Sequence, residues 1–127
     1  MIAVDTSALM AIVLGEPEAD ACMRVLQSET DVLISAATLA ESLIVGARRN
    51  VVQEITRLVE GLGFEIITVT AASARRVAEA YARWGKGVHP AGLNFGDCFA
   101  YEVSKENSCP LLFVGEDFSR TDLKSAI

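Results

Sequence analysis

The chain has 127 residues, of which 51% are hydrophobic and 22% are charged, so it can bury a core within one globular domain and is not a disordered chain. Its net charge of −6 makes it a poor general binder of nucleic acid, because phosphate binding depends on Lys and Arg. The mean hydropathy of +0.35 favours apolar surface that a partner or a second copy covers, although a well-filled core would also raise this value.

The sequence also bears on where the protein works. No run approaches the roughly 18 consecutive apolar residues of a membrane span, and the N-terminus lacks the basic segment of a signal peptide. We therefore expect a cytoplasmic protein. The three cysteines are an odd number without a C-x-x-C pair, which predicts reduced thiols at Cys22, Cys98 and Cys109.

Short apolar runs of β type alternate with longer helical periodicity, which predicts a single α/β domain over residues 1–127 with a mainly parallel sheet. The predicted strands are 2–4, 32–34, 64–69 and 110–114. The predicted helices are 7–14, 17–27, 36–49, 51–62, 71–84 and 95–105. Ser35, Thr70 and Asn94 are predicted N-caps, and residues 85–92 are predicted to form a glycine-punctuated loop.

Four acids occupy informative places on this map. Asp5 closes the first strand, and Asp117 follows Gly115 after the last strand. Asp97 lies in the first turn of a helix, and Glu41 lies about two turns inside a helix that is otherwise apolar. Ligands of open α/β sheets bind at the carboxyl ends of the strands. Each acid alone has a structural explanation, such as a helix dipole or a turn, but the four together indicate a site.

Clustered carboxylates repel one another, and near neutral pH they need cations between them or raised pKa values. An all-oxygen site suits Mg²⁺ or Mn²⁺. Such a site activates water for in-line displacement at phosphorus. Thr6 or Ser7 could add a hydroxyl beside the metal or a scissile phosphate; the simpler interpretation is that they cap the first helix.

Other residues narrow the chemistry. His89 is the only histidine, which excludes a catalytic triad or a two-histidine mechanism within one chain. No Walker A or G-x-G-x-x-G motif is present. Arg83, Trp84 and Lys86 are candidates for RNA contact, with the indole stacking on a base; the alternative is a solvated helix face.

Four segments, in chain order, resemble the motifs of PIN-domain proteins. The first is an apolar strand running into Asp5-X-Ser7, and the second passes from a strand into a helix and ends on Glu41. In the third, Asp97 opens a helix, and the fourth is a strand followed by Gly-X-Asp-Phe, which residues 121–123 extend. The ordered set covers essentially the whole chain. Its compact length and the Gly-X-Asp-Phe ending resemble VapC-type toxins of bacterial toxin–antitoxin pairs.

The resemblance implies a PIN-like three-layer α/β/α sandwich with a mainly parallel central sheet. It implies a Mg²⁺- or Mn²⁺-dependent endoribonuclease that hydrolyses RNA phosphodiester bonds with a metal-activated water. The implied acidic ligands are Asp5, Glu41, Asp97 and Asp117. Glu116 or Asp122 could share or replace the role of Asp117, because the three lie close together in sequence.

The resemblance also implies partners. A VapB-like antitoxin would place its C-terminal segment in a groove near the active site, and the apolar face of the first two helices is a candidate for that groove. The RNA substrate would be a structured or translation-linked RNA such as a tRNA. The working state would be a homodimer or a toxin–antitoxin hetero-oligomer.

Three other protein classes share parts of this pattern. A phospho-receiver domain needs an acid pair near the first strand and a lysine after the last, and this chain has neither. A haloacid-dehalogenase-type phosphatase needs Asp-X-Asp, but Ser7 stands at the third place. A catalytically inactive PIN-fold binding module would be distinguished from the enzyme by a metal titration.

Overall fold

A four-stranded, fully parallel sheet forms the central layer of the computed structural model, which describes residues 1–127. The strands are Ile2–Val4 (β1), Val32–Ser35 (β2), Glu65–Ile67 (β3) and Leu111–Leu112 (β4). Their order across the sheet is β3-β2-β1-β4. Because β1 pairs with both β2 and β4, the residue that follows β1 lies at the middle of the carboxyl edge.

The third and fourth strands are shorter than predicted, for different reasons. β3 is an edge strand whose Glu65 and Ile66 are exposed, so little burial extends it. β4 stops early because the N–H of Val114 donates to the hydroxyl of Ser7 at 3.0 Å, not to a neighbouring strand. The outer side of β4 is covered by the C-terminal tail, where Leu111 exchanges backbone hydrogen bonds with Lys124 and Ala126.

The six predicted helices are confirmed, with bounds within about two residues of those expected. They are Thr6–Val13 (α1), Ala19–Ser28 (α2), Ala36–Arg48 (α3), Val52–Gly61 (α4), Ala71–Trp84 (α5) and Phe95–Glu106 (α6). A short 3-10 helix follows at Phe118–Arg120. The side chains of Ser35, Thr70 and Asn94 cap α3, α5 and α6 as predicted. Pro17 lies in the turn before α2, not at its first position.

Alternation along the two central strands divides the interior into two cores. Ile2, Val4 and Ile34 pack with buried residues of α1, α2 and α4 on one side of the sheet. Ala3 and Leu33 face the other side and pack with α5 and α6. Successive strand residues point to opposite faces, so a sheet that is apolar on both faces is covered by helices on both. The predicted α/β/α sandwich is thereby confirmed.

Two further features accompany this architecture. No helix is both long and apolar enough to cross a membrane. The three cysteines are free, with Cys22 and Cys98 buried and Cys109 partly buried. Burial raises the pKa of the Cys98 thiol to about 11, so this thiol stays protonated at neutral pH.

Candidate active site

Asp5 is the most buried of the four predicted acids. It follows the central strand β1 and caps α1, and it is only 4% exposed. Its Oδ2 accepts hydrogen bonds from the backbone N–H of Ser7 at 3.0 Å and from the Ser7 hydroxyl at 2.6 Å. Its Oδ1 is buried and has no hydrogen-bond partner. Burial raises the pKa of Asp5, the bonds from Ser7 oppose the rise, and the charge of Glu41 adds to it.

Asp97 lies close enough to the other three acids for their charges to affect its pKa. It stands in the first turn of α6, where it forms a reciprocal capping box with Asn94. Burial raises the pKa of Asp97 to about 6; the backbone hydrogen bond of Asn94 opposes the rise, and the charges of Asp5, Asp117 and Glu41 add to it. The structure therefore brings together the acids that the sequence selected.

Two hydroxyls tie these acids to one another. The Thr6 hydroxyl donates to Oε1 of Glu41 at 2.6 Å. The Ser7 hydroxyl donates to Asp5 and accepts from the N–H of Val114, so it joins the end of β1 to the segment that leads to Asp117. Both predicted auxiliary residues lie at the site, but Asp5 itself provides the N-cap of α1.

The donor chemistry fits a hard divalent cation. No three His, Cys, Asp or Glu side chains converge closely enough, as they stand, to hold a metal ion. Coulomb interactions act over longer distances than metal–ligand bonds, which is why the same acids still affect Asp97. The orphaned Asp5 Oδ1 is an acceptor that Mg²⁺ or Mn²⁺ would satisfy.

Asp122 does not belong to this cluster, so the prediction that it shares the role of Asp117 is wrong. Its carboxylate accepts from the Tyr101 hydroxyl at 2.7 Å and from Lys105 at 3.0 Å. Burial by itself would raise the pKa of Asp122. The hydrogen bonds from Tyr101 and Lys105 outweigh this effect and hold the pKa below its ordinary value. Asp122 thus fixes the C-terminal tail against α6. Glu116 is exposed beside Asp117, and its auxiliary role stays a prediction.

Trp84 cannot stack on RNA as predicted, because its ring belongs to the core. The side chain is 8% exposed, and its Nε1 donates to the Tyr101 hydroxyl at 2.9 Å. The sequence did contain a signal of this burial: Val77, Ala80 and Trp84 recur at helical spacing along α5. Arg83 and Lys86 are exposed, and their contact with RNA stays a prediction.

Two residues at the site were not selected from the sequence. Ser42 is fully buried beside Thr6, with 3.1 Å between their hydroxyl oxygens. Gly96 lies against the Glu41 carboxylate, where a Cβ would clash. A glycine within a helix is unfavourable by itself, which is the one sequence signal that could have drawn attention to Gly96.

The raised pKa of Asp97 predicts how metal-free stability depends on pH. The folded protein retains this proton up to about pH 6, whereas the unfolded chain releases it near 3.8. The free energy of unfolding should therefore fall as pH rises from about 4 to about 6 and then level off. Asp97→Asn should be more stable than wild type at about pH 7.5 by about 1–3 kcal/mol, and no more stable at about pH 4.

Urea unfolding in EDTA at both pH values measures this difference. Asp20→Asn, which neutralises an exposed acid in the first turn of α2, is the matched control and should show no such gain. A wild-type stability that does not change between the two pH values would contradict the prediction.

Comparisons with known proteins show the family to which the chain belongs. The sequence model of the PIN domain family matches residues 2–124. Ribonuclease VapC36 of Mycobacterium tuberculosis is 42% identical over 125 residues, which cover 95% of this chain and 90% of that protein. Ribonuclease VapC42 of the same species is 40% identical over 128 residues, with 97% of each protein covered.

Solved structures match at the level of the fold. The crystal structure of Mycobacterium tuberculosis VapC20, described as a sarcin-ricin loop cleaving toxin, superposes with a TM-score of 0.79 at 19% identity and covers 97% of this chain and 96% of that one. A toxin–antitoxin complex from Klebsiella pneumoniae gives a TM-score of 0.73 at 19% identity, covering 96% of this chain and 93% of that one. The chain belongs to the PIN domain family and, within it, to the VapC ribonucleases.

Proposed function

We propose that the chain is a Mg²⁺- or Mn²⁺-dependent endoribonuclease and the toxin of a toxin–antitoxin pair. The observation that carries the proposal is the buried and unpartnered Oδ1 of Asp5, in a group where Asp5, Glu41 and Asp117 are near enough for their charges to raise the pKa of Asp97. Relatives at 40–42% identity are named ribonucleases, which supports the same activity here.

The chain's own residues would divide the work at this site. Asp5, Glu41, Asp97 and Asp117 would hold the ion. When bound, a divalent ion lowers the pKa of a water molecule and stabilises charge on a phosphodiester under attack. The Ser7 hydroxyl links Asp5 to Val114, in the segment that leads to Asp117. The Thr6 hydroxyl fixes the Glu41 carboxylate. These hydrogen bonds would position the carboxylates before the substrate binds. Charged groups that are positioned in advance contribute to catalysis because they need not reorganise during the reaction.

The substrate in this proposal is a structured or translation-linked RNA, of which a tRNA is one example. The net charge of −6 opposes binding of a polyanion, so local cations must offset it. Arg83 is 64% exposed at the end of α5, and Lys86 is exposed two residues beyond that helix. Both are exposed, in contrast to the buried Trp84, although to bind a phosphate Arg83 would have to give up its contacts with the Asp122 carboxylate, at 4.0 Å, and with the Trp84 ring.

The partner in this proposal is a VapB-like antitoxin. Along α1 and α2, the side chains of Ile12, Val13, Met23 and Val25 are only partly buried against the core, which leaves apolar surface for a peptide. The chain's acidity suits a basic partner segment. The working assembly would be a homodimer or a toxin–antitoxin hetero-oligomer, and the exposed Ile44 and Phe95 give a protein partner further apolar surface to cover.

Asp5→Asn tests the activity directly. The protein, purified without a partner, is incubated with total RNA in Mg²⁺, Mn²⁺ or EDTA. We expect metal-dependent cleavage that Asp5→Asn lowers by more than about 100-fold, since even the hydrogen-bond partners of metal ligands cost 10–100-fold. Asp20→Asn carries the same change of charge at an exposed position of α2 and should cleave like wild type.

Two results would count against the enzyme. Cleavage that persists in EDTA would exclude the metal mechanism. Neither cleavage nor Mn²⁺ binding in the wild type would instead favour the catalytically inactive binding module.

Arg83→Ala combined with Lys86→Ala tests the RNA contact. If both side chains neutralise phosphates, the slope of log affinity against log salt should decrease by about 1–2, while Mn²⁺ affinity stays unchanged. The control is Arg24→Ala with Arg57→Ala, which removes two exposed arginines from α2 and α4 on the other side of the sheet. An equal decrease in both double variants would show a general charge effect and refute a specific contact.

A further inference from the structure

The carboxylate of Glu41 is hydrogen-bonded at one oxygen and fits into space left open by Gly96 at the other. Oε1 accepts the hydrogen bond from Thr6 at 2.6 Å. On the other side, a Cβ at position 96 would overlap Oε2 and lie 2.9 Å from the Glu41 Cδ. Glu41 therefore occupies space that only a glycine leaves open. Gly96 directly precedes Asp97 in the first turn of α6, so this contact sets Glu41 beside Asp97.

Thr6 is fixed in turn by a second hydroxyl. Its one proton is directed to Glu41, because the alternative acceptor, the Thr38 carbonyl, is farther away at 3.4 Å. The Ser42 hydroxyl reaches Thr6 Oγ1 at 3.1 Å and the Thr38 carbonyl at 2.9 Å. Ser42 is 0% and Thr6 is 9% exposed. Buried hydroxyls are costly unless hydrogen-bonded, and in a low-dielectric environment the bonds they make are strong.

We infer that Thr6, Ser42 and Gly96 are positioning residues for Glu41, holding its carboxylate toward Asp5 and Asp97 before a divalent ion binds. The inference rests on the proposed function. Each of the three acts through Glu41: Thr6 donates its one proton to Oε1 of Glu41, Ser42 lies beside the Thr6 hydroxyl, and Gly96 leaves room for Oε2. A Glu side chain without these contacts would have to lose its rotamer freedom when the ion binds.

Mn²⁺ affinity, measured by titration calorimetry on the full chain, is the primary readout. Thr6→Val replaces the hydroxyl by a methyl of nearly the same shape and should weaken Mn²⁺ binding about 10–100-fold. Thr6→Ser keeps the hydroxyl and should restore binding to within about 3-fold of wild type. Ser42→Ala should weaken binding in the same direction but less, because Thr6 still reaches Glu41.

Gly96→Ala tests the opposite side of the carboxylate. It should lower Mn²⁺ affinity by displacing Glu41 while the unfolding midpoint stays the same or rises, since Ala favours a helix over Gly. The matched control is Gly61→Ala in α4, where an added Cβ meets nothing within 4 Å; it should leave Mn²⁺ affinity and RNA cleavage unchanged.

The outcomes separate this inference from the proposed function. Wild-type Mn²⁺ affinity in Thr6→Val and Gly96→Ala would overturn the inference while the metal site stands. An equal loss in Thr6→Ser and Thr6→Val would also overturn it, because the hydroxyl would then not matter. A wild-type chain that binds no Mn²⁺ would overturn both.

Discussion

The buried carboxyl group at the end of β1 is the constraint on which the site depends. Asp5 is 4% exposed, at the middle of the sheet's carboxyl edge, and an ionised carboxylate is costly in such a place unless it is compensated. Compensation is incomplete: Ser7 satisfies one oxygen, and the other has no partner. In the proposed function, a bound divalent cation would complete it.

Different local interactions stabilise the carboxylates of the neighbouring acids. Asp5 caps α1, and Asp97 lies in the first turn of α6, so two helix N-termini favour the two charges. Glu41 lies in the interior of α3, without a helix terminus, and depends on the Thr6 hydroxyl. These are separate interactions, and a shared ion is the one interaction that would act on all the carboxylates together. The short connections from sheet to helix therefore serve the chemistry as well as the fold.

The part of the structure that local chemistry determines was predictable. Ser35, Thr70 and Asn94 cap helices as expected, because an N-cap depends only on a side chain and the next three residues. The central strands followed from apolar runs, and the grouping of Asp5 and Asp117 followed from the position of carboxyl ends in a parallel sheet. Each of these inferences uses nearby residues or a rule of topology.

The predictions that were wrong, and the site residues that were missed, depend on how segments distant in sequence pack together. The burial of Trp84 depends on which face of α5 meets α6, and its position beside basic residues suggested the opposite. Asp122 is close to Asp117 in sequence, but the tail turns it toward Tyr101 and Lys105. Gly96 and Ser42 matter only because α6 and α1 approach α3 at Glu41. The periodicity of hydrophobic residues within one helix does not show which other helix will contact it at a given residue.

The most direct test of the central claim is a crystal structure grown with Mn²⁺ and examined by anomalous diffraction. The four carboxylates, if they form a metal site, should surround one anomalous peak. That peak should have Asp5 Oδ1 and at least two of Glu41, Asp97 and Asp117 as ligands at roughly 2.1 Å. Absence of a peak at saturating Mn²⁺, with Asp5 Oδ1 still unpartnered, would contradict the claim, as would a peak elsewhere on the chain.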